Sequence, residues 1–161
     1  MKITKTPESI AVIRFPDCDP FNHLNNSRYI DYFINAREDH LANNYDFDVY
    51  QYAKKTGRSW LVTQNQIAYF NPAQLMEKVI ILSTILEWNA SDILVEMQMW
   101  NEEKTLLKSV LWTTFTHYDL IHQKRSKHNA YLNEKFSEYE NPLPSPLRFE
   151  QRIINIKQND K

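Results

Sequence analysis

The chain has 161 residues, of which 42% are hydrophobic and 24% charged, with a formal net charge of -1. That balance fits one folded domain, argues against a disordered chain, and offers no field to draw nucleic acid or an anionic membrane. One glycine and one cysteine in the whole chain exclude multi-glycine phosphate cradles, Cys-x-x-Cys metal sites and an internal disulfide.

The first residues, MKITKTPESIAVIRF, contain no continuous apolar run, so no secretory signal is expected. The longest apolar run, VIILSTIL (79–86), has the length of a strand, not of a membrane span. A soluble cytoplasmic protein is the expectation. Residues 9–15, SIAVIRF, read as a strand rich in β-branched side chains. Next comes DCDPFNHLNNSRYIDYF (17–33), which gathers two acids, a histidine and two asparagines at the mouth of a helix. From about Ser27 to Leu41 the apolar positions Tyr29, Tyr32, Phe33 and Ala36 recur at helical spacing. Ile30 and Ile34 widen that surface, leaving Arg28, Asp31, Asn35 and Glu38 as a narrow polar stripe. Such a helix is expected to be largely enclosed. A second short helix is predicted over 46–56, with Gly57 just past its end.

Four strand-like segments follow: SWLVTQNQIAYF, KVIILSTILEW, DILVEMQMW and TLLKSVLWTTFTHY. In the third, Ile93, Val95, Met97 and Met99 alternate with Glu96 and Gln98, a period of two. Short polar breaks between the segments predict antiparallel neighbours. Residues 128–139 read as a terminal helix, NPLPSPLRF (141–149) as extended, and KQNDK (157–161) as frayed. No repeat and no second domain is visible. The chain reads as a single domain over 1–161, with its core at about 8–120 and a C-terminal helix and extended tail over 128–161. An apolar helix and an amphipathic sheet have a simple joint solution: a curled, antiparallel five-stranded sheet wrapped around a long central helix. Its open edge strands predict a homodimer joined through sheet edges, with further pairing into a homotetramer left open.

The stretch RFPDCDPFNHLNNSRYIDYF resembles the signature of hotdog-fold acyl-CoA thioesterases, the 4-hydroxybenzoyl-CoA thioesterase-like family. The matching positions are Asp17, Asp19, Asn22, His23, Asn25, Asn26 and Tyr29. QIAYFNPAQLMEKVII is similar to that family's second and third strands with their turn. One position departs: the family's glycine before the histidine is Asn22 here, a residue type that tolerates a left-handed backbone. The resemblance implies an α+β hotdog fold that hydrolyses an acyl-CoA thioester at a dimer interface, with Asp19 as the catalytic carboxylate. An acyl-carrier-protein thioester is the alternative substrate.

Thioester hydrolysis needs a nucleophile at the carbonyl carbon and donors for the oxyanion. Asp19 would attack directly or activate water, and the sequence leaves both open. The helix mouth supplies free N–H groups, that of Asn26 being the candidate oxyanion donor. The plainer reading of Asp19 is an Asx turn or helix cap. Asp17 reads as a turn-holding acid. Cys18 alternates with the two acids and has no paired histidine, so it is not read as a nucleophile. His23 either fastens the loop or orients the carboxylate. Asn25, Asn26 and Ser27 compete for the cap, and Tyr29 either packs or touches substrate.

Thr63, Gln64 and Asn65 interrupt an apolar strand with polar groups. They mark either an interfacial strand or the lining of a neighbour's pocket. Arg58, Lys124, Arg125 and Lys127 are candidates for the phosphates of coenzyme A, against the plain reading of a solvated charge run. The histidines at 23, 40, 117, 122 and 128 show no zinc spacing, so neither metal nor other cofactor is expected. Two further readings compete: a hydratase or dehydratase on the same fold, and a non-catalytic acyl-thioester binding protein.

Overall fold

The computed structural model describes residues 3–159. Among these, β1 (Glu8–Val12) leads through 3-10 turns at Phe15–Asp17 and Asn26–Arg28 into α1 (Tyr29–Tyr45) and α2 (Val49–Thr56). The strands β2 (Arg58–Tyr69), β3 (Lys78–Trp88), β4 (Asp92–Asn101) and β5 (Leu107–Asp119) follow, then a two-residue β6 (Lys124–Arg125). Helices α3 (Ala130–Tyr139) and α4 (Phe149–Asn159) complete the described chain.

All strand pairs are antiparallel. The order is β1-β3-β4-β5-β2, with β6 against the end of β5. The five predicted strands are therefore joined by a sixth, in what had read as a plain charge run. Register shifts between Val62 and Gln64, and between Ile85 and Glu87, sharpen the twist that curls the sheet. The concave face holds the main core, with Phe33, Ile81, Met97 and Leu111 at 0% exposure. The strand alternation in β4 decides this: Ile93, Val95, Met97 and Met99 are all buried in that core.

Helix α1 is less apolar around its girth than its sequence suggested. Its buried stripe is Tyr29, Phe33, Ala36, Arg37 and His40, while Asp31, Asn35 and Asp39 are exposed. The helix continues past the expected Leu41 to Tyr45. It stops at Asp46, whose left-handed backbone (φ 50) returns its N–H to the Leu41 carbonyl. Helix α2 begins at Val49, later than expected. Asp48 accepts from the N–H groups of Tyr50 and Gln51 and so sets the N-cap. Gly57 closes α2 at φ 67, and a Cβ there would sit 2.6 Å from Ile121 Cδ1. The positive φ favours glycine, and a Cβ would also push aside the exposed tip of Ile121.

The end of the chain departs from expectation. Residues 157–159 are not frayed, and the extended segment gives way at Phe149 to helix α4; residues 160–161 lie outside the described residues. Phe149 and Ile156 are buried on the convex sheet face with Val110 and Trp112. Arg152 makes paired bonds to the Glu96 carboxylate at 2.8 and 2.9 Å. Burial would raise the Glu96 carboxyl, but the bonds from Arg152 and Trp112 more than offset it and hold it below its ordinary value. Among the described residues, no helix is long and apolar enough to cross a membrane.

Candidate active site

The loop between β1 and α1 is organised by its two acids. Asp19 Oδ1 accepts from the backbone N–H of Phe21 at 2.9 Å and of His23 at 3.1 Å. The Asp19 N–H donates to the His23 carbonyl at 2.8 Å, and the Asn22 N–H returns to the Asp19 carbonyl at 3.0 Å. This is a tight Asx turn, and it needs a left-handed residue at its end. Asn22 supplies it at φ 59, in the place where the resembling family has glycine. Oδ2 of Asp19 has no hydrogen-bond partner among the described residues. The carboxylate is thus held by one oxygen and open at the other.

Asp17 anchors the loop to the helix. Its Oδ2 accepts from the Tyr32 hydroxyl at 2.6 Å, and its carbonyl accepts from the Asn25 N–H at 2.9 Å. Burial and the bond to Asp17 push the Tyr32 hydroxyl up to about 12, so it stays a donor. Cys18 Sγ faces the Arg14 carbonyl at 3.4 Å, and burial raises its thiol, so it lacks a thiolate's environment. The His23 backbone is clamped by Asp19 and bridges to Gln74, and its ring is half-buried.

At the helix mouth, Asn25 is the residue that caps. Its Oδ1 accepts from the Ser27 N–H at 3.0 Å and the Ser27 hydroxyl at 2.8 Å. The Arg28 N–H is taken by the Asn25 carbonyl at 2.8 Å. Among the described residues the Asn26 N–H alone in this turn has no recorded partner, and Asn26 is exposed. The Asn26 carbonyl accepts from the Tyr69 hydroxyl at 2.9 Å, which fixes the turn to the end of β2. Tyr29 is 2% exposed, packs edge-on against Tyr69, and accepts from the Ala73 N–H at 3.1 Å. Its ring is buried in the core and its hydroxyl oxygen is bonded to the scaffold.

Strand β2 lies at the edge of the sheet, and Thr63, Gln64 and Asn65 are exposed at its middle. Thr63 meets the Thr116 hydroxyl at 2.9 Å, and Asn65 accepts from Thr113 at 2.7 Å. Of the cationic candidates, Arg58 lies 4.0 Å from Asp119 and Arg125 lies 3.5 Å from Asp92. Lys124 and Lys127 are exposed and form no ion pair among the described residues.

The structure separates this loop from an apolar cavity. A cavity of about 420 Å³ lies beside the other half of α1, and Asp19 does not line it. Ile34 and Leu41 of α1, Trp60 and Val62 of β2, Phe115 of β5 and Phe136 of α3 form much of its wall. Behind Trp60 sits a packed aromatic group. Trp60 Nε1 donates to His128 Nε2 at 3.1 Å, and Tyr52 meets His117 Nε2 at 2.9 Å. Burial lowers both imidazoles. The sequence reading missed the cavity and missed Arg37, which is 7% exposed and lines it. The available signal was spacing: Arg37 stands one turn after Phe33 on the buried stripe.

Comparison with known proteins agrees with the architecture. Residues 13–136 match the family model described as the thioesterase-like superfamily. The long-chain acyl-CoA thioesterase FadM of Escherichia coli (strain K12) is 30% identical over 121 residues, covering 74% of this chain and 89% of its own. The crystal structure of Slr0204, a 1,4-dihydroxy-2-naphthoyl-CoA thioesterase from Synechocystis, superposes with a TM-score of 0.75 at 14% identity, covering 85% of this chain and 99% of that one. The protein SAV2348 of Staphylococcus aureus, solved in complex with CoA, superposes with a TM-score of 0.78 at 11% identity, covering 92% of each chain. The fold is the hotdog fold that the opening motif implied. The chain belongs to the thioesterase-like superfamily, and the thioester hydrolase read from its sequence is the class its relatives carry.

Proposed function

We propose that this member of the thioesterase-like superfamily hydrolyses acyl-CoA thioesters at a site shared by two copies of the chain. The observation that carries the reading is the pairing of one open carboxylate oxygen on Asp19 with one unpaired N–H at Asn26, on a loop and turn bonded to each other. The thioester carbonyl oxygen accepts from the Asn26 N–H at the positive end of α1. Asp19 Oδ2 then has two available roles. As general base it takes a proton from water, the hydroxide adds to the carbonyl carbon, and the adduct expels the thiolate, which recovers the proton from Asp19. As nucleophile it adds to the carbonyl carbon itself, expels the thiolate, and leaves an anhydride that water cleaves. Asn25 holds the turn that aims Asn26. His23, whose backbone is clamped to Asp19, is assigned as a positioning group.

The second copy follows from the open edge of β2. Antiparallel pairing of β2 with its copy about the middle of residues 58–69 removes that edge. It also sets residues 58–62 of each copy opposite residues 65–69 of the other. Trp60 and Val62 line the cavity, and Tyr69 holds Asn26. The pairing therefore places one copy's cavity beside the other copy's Asp19 loop, with Thr63, Gln64 and Asn65 at the seam. A long acyl chain, as named for the FadM relative, would fill that cavity. Arg58 at the start of β2, with the exposed Lys124, Arg125 and Lys127 near it, supplies cations for coenzyme A phosphates at the rim. A soluble, cytoplasmic homodimer completes the reading, with pairing into a tetramer as a further step.

The test is thiol release from a panel of acyl-CoAs of increasing chain length, followed with a thiol-reactive dye. Turnover should rise with chain length until the cavity is filled. Saturable binding of acyl-CoA with no thiol released from any member would instead identify a non-catalytic binding protein.

A further inference from the structure

Two cations line the apolar cavity: Lys135 pairs with Glu138 at 3.4 Å, whereas Arg37 forms no ion pair among the described residues. Arg37 is 93% shielded by its surroundings, at 7% exposure. Its Nη1 donates to the Ser83 hydroxyl at 2.9 Å, and its guanidinium also meets the Tyr45 hydroxyl, which burial raises and keeps neutral. None of the recorded ion pairs includes it. Glu38, the acid beside it in sequence, also lines the cavity but accepts from the Tyr50 hydroxyl at 2.9 Å. On the other side of Ser83 stands His40, whose Nδ1 meets the same hydroxyl at 2.8 Å. Burial and the Arg37 charge push His40 down to about 4, so it contributes no anion and no second cation near neutral pH. Tyr45, whose ring centroid lies 5.9 Å from the guanidinium carbon, stacks on Tyr139 and closes this end of the cavity. Burial lowers the guanidinium as well, yet arginine stays charged in proteins. An isolated buried charge is costly unless something pairs with it.

We propose that Arg37 is an anion anchor, and that the ligand filling this cavity has an apolar body and carries a carboxylate that meets the guanidinium. The guanidinium fork matches a carboxylate with two parallel N–H···O bonds. The surrounding apolar wall, including Ile34, Leu41 and Ile85, matches a hydrocarbon body. Such a carboxylate has two sources under the proposed function, on which this inference builds: the distal end of an ω-carboxyacyl chain, or a free fatty acid seated in the reverse direction, its carboxylate at Arg37 and its tail toward the Asp19 loop. Arg37 is then a specificity-determining residue, remote from the reacting carbonyl.

The experiment begins with binding, which does not depend on turnover. The full-length chain, stripped of ligand, is titrated calorimetrically with dodecanoate and separately with dodecanol and methyl dodecanoate. Dodecanoate should bind at least about tenfold more tightly than either neutral probe. Arg37→Met should lose that preference, and Arg37→Lys should keep part of it. Equal affinity of the wild type for the three probes overturns the proposal, as does a preference that survives in Arg37→Met. The wild-type comparison decides the matter even where the variant fails to fold. Turnover then separates the sources. A kcat/KM that favours an ω-carboxyacyl-CoA over the plain acyl-CoA of equal length, in wild type but not Arg37→Met, assigns the carboxylate to the substrate. Competitive inhibition by dodecanoate that Arg37→Met relieves assigns it to the product. No thiol release from either thioester would remove the hydrolase reading and leave the binding result standing.

Discussion

The two ends of α1 have opposite characters. At its N-terminal end the surface is polar and accessible, and nearly every backbone donor of the turn is bonded; what remains open is one oxygen of Asp19 and one N–H at Asn26. Toward its C-terminal end the helix faces an apolar cavity of about 420 Å³ with Arg37 in its wall. Arg37 lies eight residues, roughly 12 Å, along the axis from Tyr29. Asp19 and Asn26 stand near one end, and the apolar cavity lies beside the other. Under the proposed function each half needs the other, and pairing across the open edge of β2 would join them.

The largest expected effect probes the reactive end. Asp19→Asn keeps an acceptor oxygen for the Phe21 and His23 N–H groups, so the loop should persist while the open carboxylate oxygen is lost. Thiol release should fall by about a hundredfold or more with little change in melting temperature. A comparable fall in stability would instead assign Asp19 to the scaffold alone.

Next is a control remote from both ends. Arg152→Ala removes the partner of Glu96, which is 1% exposed, and should cost about 3 kcal/mol or more in urea unfolding. Its effect belongs to the docking of α4 on the convex face, and the per-molecule turnover of the folded enzyme should stay unchanged.

Acid should act on the cavity end. His40 sits at about 4 in the folded chain against an ordinary 6.5, and burial lowers His117 and His128 in the same direction. The unfolded chain therefore takes up protons first as pH falls. Stability is fully present above 6.5, declines down toward about 4, and for His40 declines no further below that. Hydrogen exchange across that window should show α3, packed on His128 through Phe136, losing protection as pH drops. His128→Phe should flatten the profile.

The smallest effect is the sharpest test of the buried charge. Arg37→Met removes a cation that no carboxylate balances among the described residues. It should leave stability unchanged or raise it by about 1 kcal/mol in the absence of ligand. A large loss would mean that the Ser83 network needs the charge for folding.

Much of this was legible from local chemistry. The alternation of Ile93, Val95, Met97 and Met99 fixes a strand with one face in the core, and Asp-Pro followed by Asn-Asn before an apolar helix fixes a capped turn. The left-handed position of Asn22 was legible only through the resembling family's glycine at that place. The cavity was not legible, because its wall is assembled from α1, α2, four strands and α3, which no local window contains. Arg37 was not singled out because a charged residue in a helical pattern defaults to solvent, although its spacing from Phe33 places it inside. Helix α4 was hidden behind the prolines at 142, 144 and 146. Its Phe149, Ile153 and Ile156 spacing gains meaning only from the docking partners Trp112 and Glu96 on the sheet.

Mixing two inactive variants tests the shared site most directly. Asp19→Asn lacks the reactive oxygen, and Ile34→Trp fills the cavity. Each should be inactive alone. Denatured together in equal amounts and refolded, they form mixed dimers in which one of the two sites joins an intact Asp19 to an intact cavity. Activity should return to about a quarter of the wild-type level, set by random pairing in a two-fold dimer. No recovery, with mixed dimers present by native mass spectrometry, would place the whole site within one chain and contradict the account.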